Sequence, residues 1–402
     1  MKILWVKSDF LHPTTKGGHI RTLEMLRCLH RRHEIHYVAY ADPAHPEGPE
    51  RSPEYCARAW PVPHAVPGRR SPAFAVELAA GLFSPLPVSL RRYRTRAMRR
   101  QIEALLNRER FDRLICDFLT PAPNLPQLQP WILFQHNVET MIWRRHAETA
   151  ADPWRRWYLN LQARRMFAYE RRVCQAVSHV IAVSETDSRL MRSLFGVTRV
   201  SEIATGVDTG YFALPAAGAA PPFADLVFVG SMDWLPNIDG VLYFVREILP
   251  LIRRRIPACS LAVVGRRPAP EIQELARQDA GIRVTGTVPD VRPYLWGARL
   301  SIVPLRIGGG TRLKIYESMA AGTAVVSTTI GAEGLEVQHP ANIRLADTPE
   351  EFAELCRELL ENPGERERVA AAARQLVVSR FSWEQVAAAF ERILLESGKK
   401  PG

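Results

Sequence analysis

Short apolar runs, each cut off by a turn signal, alternate along this chain with stretches whose apolar residues recur every three or four positions. The first run, Ile3 to Val6, ends in Lys7, Ser8 and Asp9; a loop follows from Leu11 to Lys16. Gly17-Gly18 then precede Ile20, Leu23, Leu26, Cys28 and Leu29, spaced for one face of a helix, and EIHYVAYAD reads as the next strand. Strand, glycine turn, helix and strand make a βαβ unit. FDRLICDFL, WILFQ and HVIAVS continue the strands, with helices expected at 153–176 and 185–195. Residues 43–90 are rich in Pro and carry no assignment; residues 91–110 hold eight arginines on a predicted helix. The stretch 213–224, ALPAAGAAPPFA, is a linker by composition. Beyond it DLVFVG, SLAVVG, IRVTG, LSIVPL and TAVVSTT alternate with helical patterns at 237–255, 270–279, 290–297, 311–321 and 349–361. Unbroken apolar strands between helices predict parallel sheets covered on both faces. The pattern therefore predicts an α/β protein of two doubly wound domains, 1–212 and 225–380, joined by the linker. A last helix at 381–398 is expected to pack back on the first domain, its start marked by Ser382 with Gln385 three residues on, a capping-box spacing.

Composition narrows the class. A chain of 402 residues that is 47% hydrophobic and 24% charged is ordinary for a globular protein of two domains. No apolar run approaches the ~20 residues of a spanning helix, and the first is too short for a signal peptide, so a cytoplasmic protein is expected. The six cysteines are scattered without a CxxC pair, which offers neither zinc site nor disulfide framework. The charge of +11 is lopsided: residues 1–205 carry 31 basic against 19 acidic residues, the remainder 22 against 23. Arginines at 91–100 and 144–172 are interleaved with Tyr93, Trp143, Trp154, Trp157 and Tyr158. That mixture suits an anionic membrane surface, on the inner face, or else is a solvated basic face. No nucleic-acid-binding module is present, so no nucleic-acid partner is expected.

Chemistry in open α/β sheets belongs in the loops after the strands. The richest is PLRIGGGTRLKIYE, residues 304–317. Gly308, Gly309, Gly310 and Thr311 offer backbone N–H groups at a helix start, and Arg312 and Lys314 add cations within its first turn, an arrangement suited to a phosphate. Lys314 stands alone, because every other cation between residues 17 and 398 is Arg. It is expected to face solvent, so that its removal leaves the fold intact. Glu317, three residues on, would accept from a ribose or serve the helix dipole. The segment is neither a Walker A loop nor a GxGxxG fingerprint, which counts against nucleotide hydrolysis and nicotinamide chemistry. His136 follows WILFQ in the polar run QHNVE, as a cleft residue or a structural histidine; Gly17, Gly18 and Arg21 would contact acceptor or phosphate, or simply begin a helix. No two aspartates lie two apart, so no DxD pair is available for a divalent ion, and no metal is expected.

On MKILWVKSDF with KGGHIRT, QHNVE, VIAVSETD, ATGVDTGYF, VGSMDWLPN, GTVPDV and above all PLRIGGGTRLKIYESMAAGTAVVSTTIGAEGL, the chain resembles the family 4 (group 1) glycosyltransferases over nearly its whole length. The resemblance implies the GT-B architecture of two facing Rossmann-like domains. It implies transfer of a sugar from a nucleotide-diphosphate donor, with retention and without a metal or other cofactor, to a glycan or lipid-linked acceptor in surface polysaccharide synthesis. It places His136 near the acceptor and the anomeric carbon, Glu317 on the donor ribose, and Gly230 with Gly308–Thr311 among the donor contacts. Two departures stand out. Gly309 occupies the place of the family's first paired glutamate, and GSMDWLPN replaces the usual Arg and Lys after the second domain's first strand, leaving Arg312 and Lys314 to neutralise the diphosphate. The rival readings are a nucleotide-sugar epimerase on the same fold and a catalytically degenerate basic protein bound to a membrane surface.

Overall fold

In the computed structural model, which describes residues 1–14, 17–64, 71–148, 150, 152–215, 223–307 and 313–397, Ile3, Leu4, Trp5 and Val6 are wholly buried. They lie in β1 (Lys2–Asp9), an interior strand of a seven-stranded sheet. Burial on both faces is why this strand reads as an apolar run without alternation. Its companions are β2 (Glu34–Ala41), β3 (Arg58–Pro63), β4 (Arg113–Asp117), β5 (Ile132–Gln135), β6 (His179–Ala182) and β7 (Val200–Glu202). The order is β3-β2-β1-β4-β5-β6-β7, every pairing parallel. A second sheet holds β8 (Ala224–Val229), β9 (Leu261–Val264), β10 (Ile282–Val284), β11 (Ala298–Val303), β12 (Ala324–Ser327) and β13 (Arg344–Leu345). Its order is β10-β9-β8-β11-β12-β13, again all parallel. In each sheet the strand order reverses beside the first strand, between β1 and β4 and between β8 and β11. Crossover helices leave in opposite directions there, which opens the ligand-binding crevice of such a sheet.

Three strands escaped the periodicity, one of them the three-residue β7. β3 lies in the Pro-rich stretch and contains Pro61 and Pro63. It is an edge strand, so the missing N–H groups interrupt no ladder on its outer side. β13 is two residues long, too short to carry a pattern. The expected helix at 237–255 is broken: Leu235–Tyr243 is α-helical, Phe244–Ile248 widens to a π-turn, and Leu249–Arg253 completes it. Pro250, with no N–H to offer Arg246, accounts for the widening.

The chain divides after Ala204, earlier than the expected residue 212. Residues 205–215 go with the second unit because its side chains hold them. Arg292 donates to the carbonyl of Tyr211 (3.1 Å) and Trp296 Nε1 to that of Ala213 (3.1 Å). Gly206 lies flat on Trp383, with no room for a Cβ. Of the expected linker, residues 216–222 lie outside the described residues, and Ala224 already belongs to β8. The last helix is Trp383–Glu396, and its start is half of a capping box: Ser382 Oγ accepts from the Gln385 N–H at 3.3 Å. From Val386 on it belongs to the first unit, where Phe390 packs against Trp5 and Phe134 with ring centroids 5.7 and 5.1 Å apart.

No helix among the described residues is long and apolar enough to cross a membrane. The aromatic residues among the arginines split into two groups. Tyr93 and Trp143 pack on the core of the first unit, which removes them from any interfacial role, whereas Trp154 and Trp157 are 81% and 57% exposed.

Candidate active site

At the first switch point, two hydrogen-bond donors and two basic side chains surround one buried carboxylate, Asp117 at the end of β4. Lys7 Nζ of β1 lies 2.9 Å from Oδ1, and Trp5 Nε1 and Thr22 Oγ1 donate to Oδ2 at 2.9 and 2.8 Å. His136 Nε2, in the loop after β5, is 2.8 Å from Oδ1. Lys7 is 1% exposed and also donates to Thr22 Oγ1 (3.2 Å). Burial alone would raise the Asp117 pKa, but the charges of Lys7 and His136 and their hydrogen bonds hold it well below the usual carboxylate range. For His136 burial wins over the attraction of Asp117 and lowers its pKa to about 3, so the ring is neutral near pH 7. A carboxylate facing Nε2 selects the Nε2–H tautomer and leaves Nδ1 as a lone-pair acceptor.

The ring is clamped from the other side. Phe118 stacks on His136 at 3.9 Å and 11°, with Lys7 Nζ 4.2 Å from the Phe118 centroid. To reach that position Phe118 takes φ +72°, a left-handed backbone that costs a side-chain-bearing residue on the order of 1–3 kcal/mol. Its N–H donates to the Phe134 carbonyl (2.8 Å), which helps to hold it there. Gly18, in the first turn of the helix Gly17–His30, fits against this stack only because it lacks a Cβ. An added carbon would sit 2.8 Å from Phe118 Cζ and 3.8 Å from His136 Nδ1. The helix Glu139–Glu148 that follows His136 is anchored by Glu170, whose carboxylate accepts from the N–H groups of Glu139 and Thr140 (2.9 and 2.8 Å), Thr140 Oγ1 (2.5 Å) and Gln135 Nε2 (2.9 Å). Arg21 is packed beside this cluster. It is 5% exposed, with a pKa lowered to about 10 by burial against the pull of Asp187 and Asp117.

At the second switch point Gly230 follows β8 and the helix Leu313–Ala320 carries Lys314 and Glu317. Lys314 Nζ donates to Asn237 Oδ1 (2.7 Å) and lies 4.2 Å from the Phe228 ring centroid. A Cβ on Gly230 would stand 2.8 Å from that nitrogen and 2.7 Å from Asn237 Nδ2. Asn237 is in turn fixed by donating to the Ser231 carbonyl (2.8 Å). Lys314 is therefore a packed cation, contrary to the expectation of a solvent-facing one, and GSMDWLPN supplies the groups that seat it. Glu317, half-buried, makes no side-chain hydrogen bond among the described residues. Loss of solvent raises its pKa to about 7, with the charge of Lys314 opposing.

The structure thus gathers Gly18, Arg21 and His136, with Gly17 at the same helix start, in one unit, and Gly230, Lys314 and Glu317 in the other. Gly308, Gly309, Gly310, Thr311 and Arg312 lie outside the described residues. Sequence reasoning missed Lys7, Asp117, Phe118, Glu170 and Asn237. The rarity of lysine that singled out Lys314 applies equally to Lys7. Among the described residues one cluster has metal-ligand spacing, Glu34, His36 and Glu109, but Lys2 Nζ is seated between its carboxylates at 3.5 and 2.6 Å.

Residues 224–362 match the family model "Glycosyl transferases group 1" and residues 15–211 the model "Glycosyltransferase Family 4". Among curated proteins, glycogen synthase of Mycobacterium tuberculosis is 25% identical over 60% of this chain and 59% of its own length. Phosphatidyl-myo-inositol mannosyltransferase of the same organism is 30% identical over 53% and 58%. The chain thus spans less than two thirds of the length of these relatives. Among solved structures, sucrose-phosphate synthase from Thermosynechococcus elongatus superposes with TM-score 0.70 at 16% identity, covering 98% of both chains. Anabaena HepE in complex with UDP and glucose gives 0.64 at 14%, covering 98% of this chain and 100% of its own. At such identities the likeness is one of fold.

Proposed function

The chain belongs to the group 1, family 4 glycosyltransferases, with the GT-B pair of Rossmann-like domains, and from that premise we propose that it transfers a sugar from a nucleotide-diphosphate donor with retention at the anomeric carbon. The observation that carries this reading is the seating of Lys314 and Glu317 at the switch point of the second sheet. The ammonium, held by Asn237 beside Gly230, is the cation this proposal gives to the diphosphate, and the half-buried carboxyl is the acceptor it gives to a ribose. Arg312 and the N–H groups of Gly308 to Thr311 add to the diphosphate site in this proposal. Fixed positive charge of this kind stabilises a departing diphosphate without a metal ion. The HepE complex, in which a protein of the same fold holds UDP, makes a uridine donor the first to try. Calorimetric titration with UDP-glucose in EDTA tests the site: binding that EDTA leaves unchanged supports it, and binding that appears only with added Mg²⁺ or Mn²⁺ refutes the metal-independent reading.

The acceptor falls to the first unit, around His136 and the Gly17–Gly18 turn. His136, neutral and clamped, orients by hydrogen bonding and does not act as a cation. We further propose that the acceptor is a lipid-linked or surface glycan met at the inner face of the membrane. Trp154 and Trp157 share one face of the first turn of the helix Pro153–Ala176, among exposed Arg155, Arg156 and Arg164. Phe83, 92% exposed, follows the end of the helix Pro72–Gly81, which Arg165 ties to the same long helix through the carbonyls of Gly81 and Leu82, both at 2.6 Å. Exposed aromatics bordered by arginines suit an anionic interface. Flotation with anionic liposomes at low salt should carry the wild type and leave the Phe83→Ser/Trp154→Ser variant behind. Recovery of the wild type in the soluble fraction with every lipid would refute the membrane role.

A further inference from the structure

The end of β8 is bracketed by cations that come from the strands on either side of it, β9 and β11. Lys314, on the helix after β11, reaches Asn237. Arg266, in the loop after β9, reaches Ser231, the residue next to Gly230: its Nε donates to Ser231 Oγ at 2.9 Å. The loops after β8 and β9 lie against each other. The Gly230 N–H donates to the Val264 carbonyl and the Met232 N–H to that of Arg266, both at 2.9 Å, which carries the strand pairing past the end of the sheet. Gly265 permits this approach, since an added Cβ would stand 1.7 Å from the Gly230 carbonyl oxygen. The two arginines of this loop are held differently. Arg267 takes a left-handed backbone, φ +51°, and its Nη1 pairs with Asp233 Oδ2 at 3.4 Å. Ser231 Oγ donates to the other oxygen of Asp233 at 2.5 Å, so the hydroxyl that receives Arg266 is itself fixed. Arg266 is exposed, and its Nη1 and Nη2 make no hydrogen bond among the described residues.

We infer that Arg266 is a donor-binding residue, whose Nη1 and Nη2 grip two oxygens of the nucleotide diphosphate at the end of β8, on the side away from Lys314. The assignment rests on the glycosyltransferase reading and deepens it by naming a cation from a strand end that the sequence motifs do not reach. The stretch GSMDWLPN after β8 contains no cation of its own, and a diphosphate carries more negative charge than one ammonium neutralises. Geometry favours Arg266 over its neighbour. With Nε committed to Ser231, the remaining edge of the guanidinium presents two parallel N–H groups, a fork matched to a pair of phosphate oxygens. Arg267 has its charge answered by Asp233. The left-handed backbone at Arg267 fits the same picture, because strain of this kind gathers at ligand clamps and persists only where the surroundings impose it. Here the Gly265 approach and the Asp233 pair impose it.

The test is calorimetric titration of the full chain with UDP, GDP and ADP, on wild type, Arg266→Ala, Arg266→Lys and Arg267→Ala, with melting temperatures measured alongside. Wild type should bind at least one of the three nucleotides. For that nucleotide Arg266→Ala should weaken binding by roughly tenfold or more, the loss of hydrogen bonds between charged groups, while the melting temperature stays that of the wild type. Arg266→Lys should recover only part of the affinity, because an ammonium keeps the charge and loses the fork. Arg267→Ala breaks an exposed ion pair and should change affinity by less than about threefold. Arg266→Ala binding as the wild type does, or Arg267→Ala losing as much as Arg266→Ala, would overturn the assignment and leave the donor reading in place. Full affinity in Arg266→Lys would overturn the two-pronged grip. A folded wild type that binds none of the three nucleotides would overturn the donor reading and the assignment with it.

Discussion

Replacing Lys314 by Ala removes the cation on which the donor reading turns. A full charge about 4 Å from an ammonium interacts by ~4 kcal/mol at an effective dielectric constant of 20. As the glycosidic bond breaks, the diphosphate gains on the order of one charge, and most of that interaction is felt in the transition state. Lys314→Ala should therefore lower kcat by roughly 100- to 1000-fold, about 3–4 kcal/mol, the size of losing one preorganised oxyanion donor. Stability falls too, because Asn237 Oδ1 loses its donor at 2.7 Å and the Phe228 ring its cation at 4.2 Å. Together these contribute about 2 kcal/mol, or roughly 4–8 °C in the melting of a unit this size. Lys314→Arg should recover only part of kcat. The ammonium sits where Gly230 leaves no space for a Cβ, and a guanidinium is planar, larger and longer in reach. The assay is kcat at saturating donor for both variants, at a temperature where both are folded by circular dichroism. Turnover of Lys314→Ala within threefold of wild type, in a folded protein, would refute the argument and put the diphosphate elsewhere.

Glu317, raised to about 7, is half protonated at neutral pH, and only its ionised form can accept from two ribose hydroxyls at once. Donor KM should fall as pH rises from 6 to 8, with little change in kcat, and Glu317→Gln should give a flat KM profile; a profile that survives the substitution assigns the slope to another group. Because its folded-state pKa is raised, the stability it contributes is present below about 4.5 and is lost as pH rises through about 7, a slope that urea titrations of Glu317→Gln should lack. Asp117→Asn leaves Lys7 buried beside an uncharged partner and should cost about 3–5 kcal/mol in denaturant titrations. Lys7→Met in the same chain should return part of that, and strict additivity of the two losses would deny their coupling. Gly18→Ala drives a methyl to 2.8 Å from Phe118 Cζ and should lower transfer at least tenfold by shifting the ring off His136; unchanged transfer would mean that the stack has no part in positioning.

The doubly wound fold was legible because parallel strands buried on both faces appear as apolar runs such as LAVV and AVVS, which no amphipathic helix produces. β3 was not legible, since Pro61 and Pro63 argue against a strand unless it is known to lie at an edge. His136, Gly230, Lys314 and Glu317 stood out as candidates from their places after strands and in a recognisable motif, and the structure sets the first at one switch point and the other three at the second. Their partners did not stand out, because Asp117 becomes central only when β1, β4 and β5 are adjacent in space. Between Lys7 and Asp117 lie 109 residues of sequence whose local pattern carries no trace of the pairing. Phe118 is the extreme case: its role depends on a left-handed backbone that no residue type other than glycine announces.

The central claim is retaining transfer from a nucleotide-diphosphate sugar. Its most direct test is proton NMR of the wild-type reaction with an α-configured UDP-sugar in EDTA, run against a panel of mono- and disaccharide acceptors. The account predicts stoichiometric release of UDP and a new glycoside whose anomeric proton carries the small coupling of an α-linkage. A β-linked product, or no UDP release with any donor under conditions where the protein is folded, would contradict it.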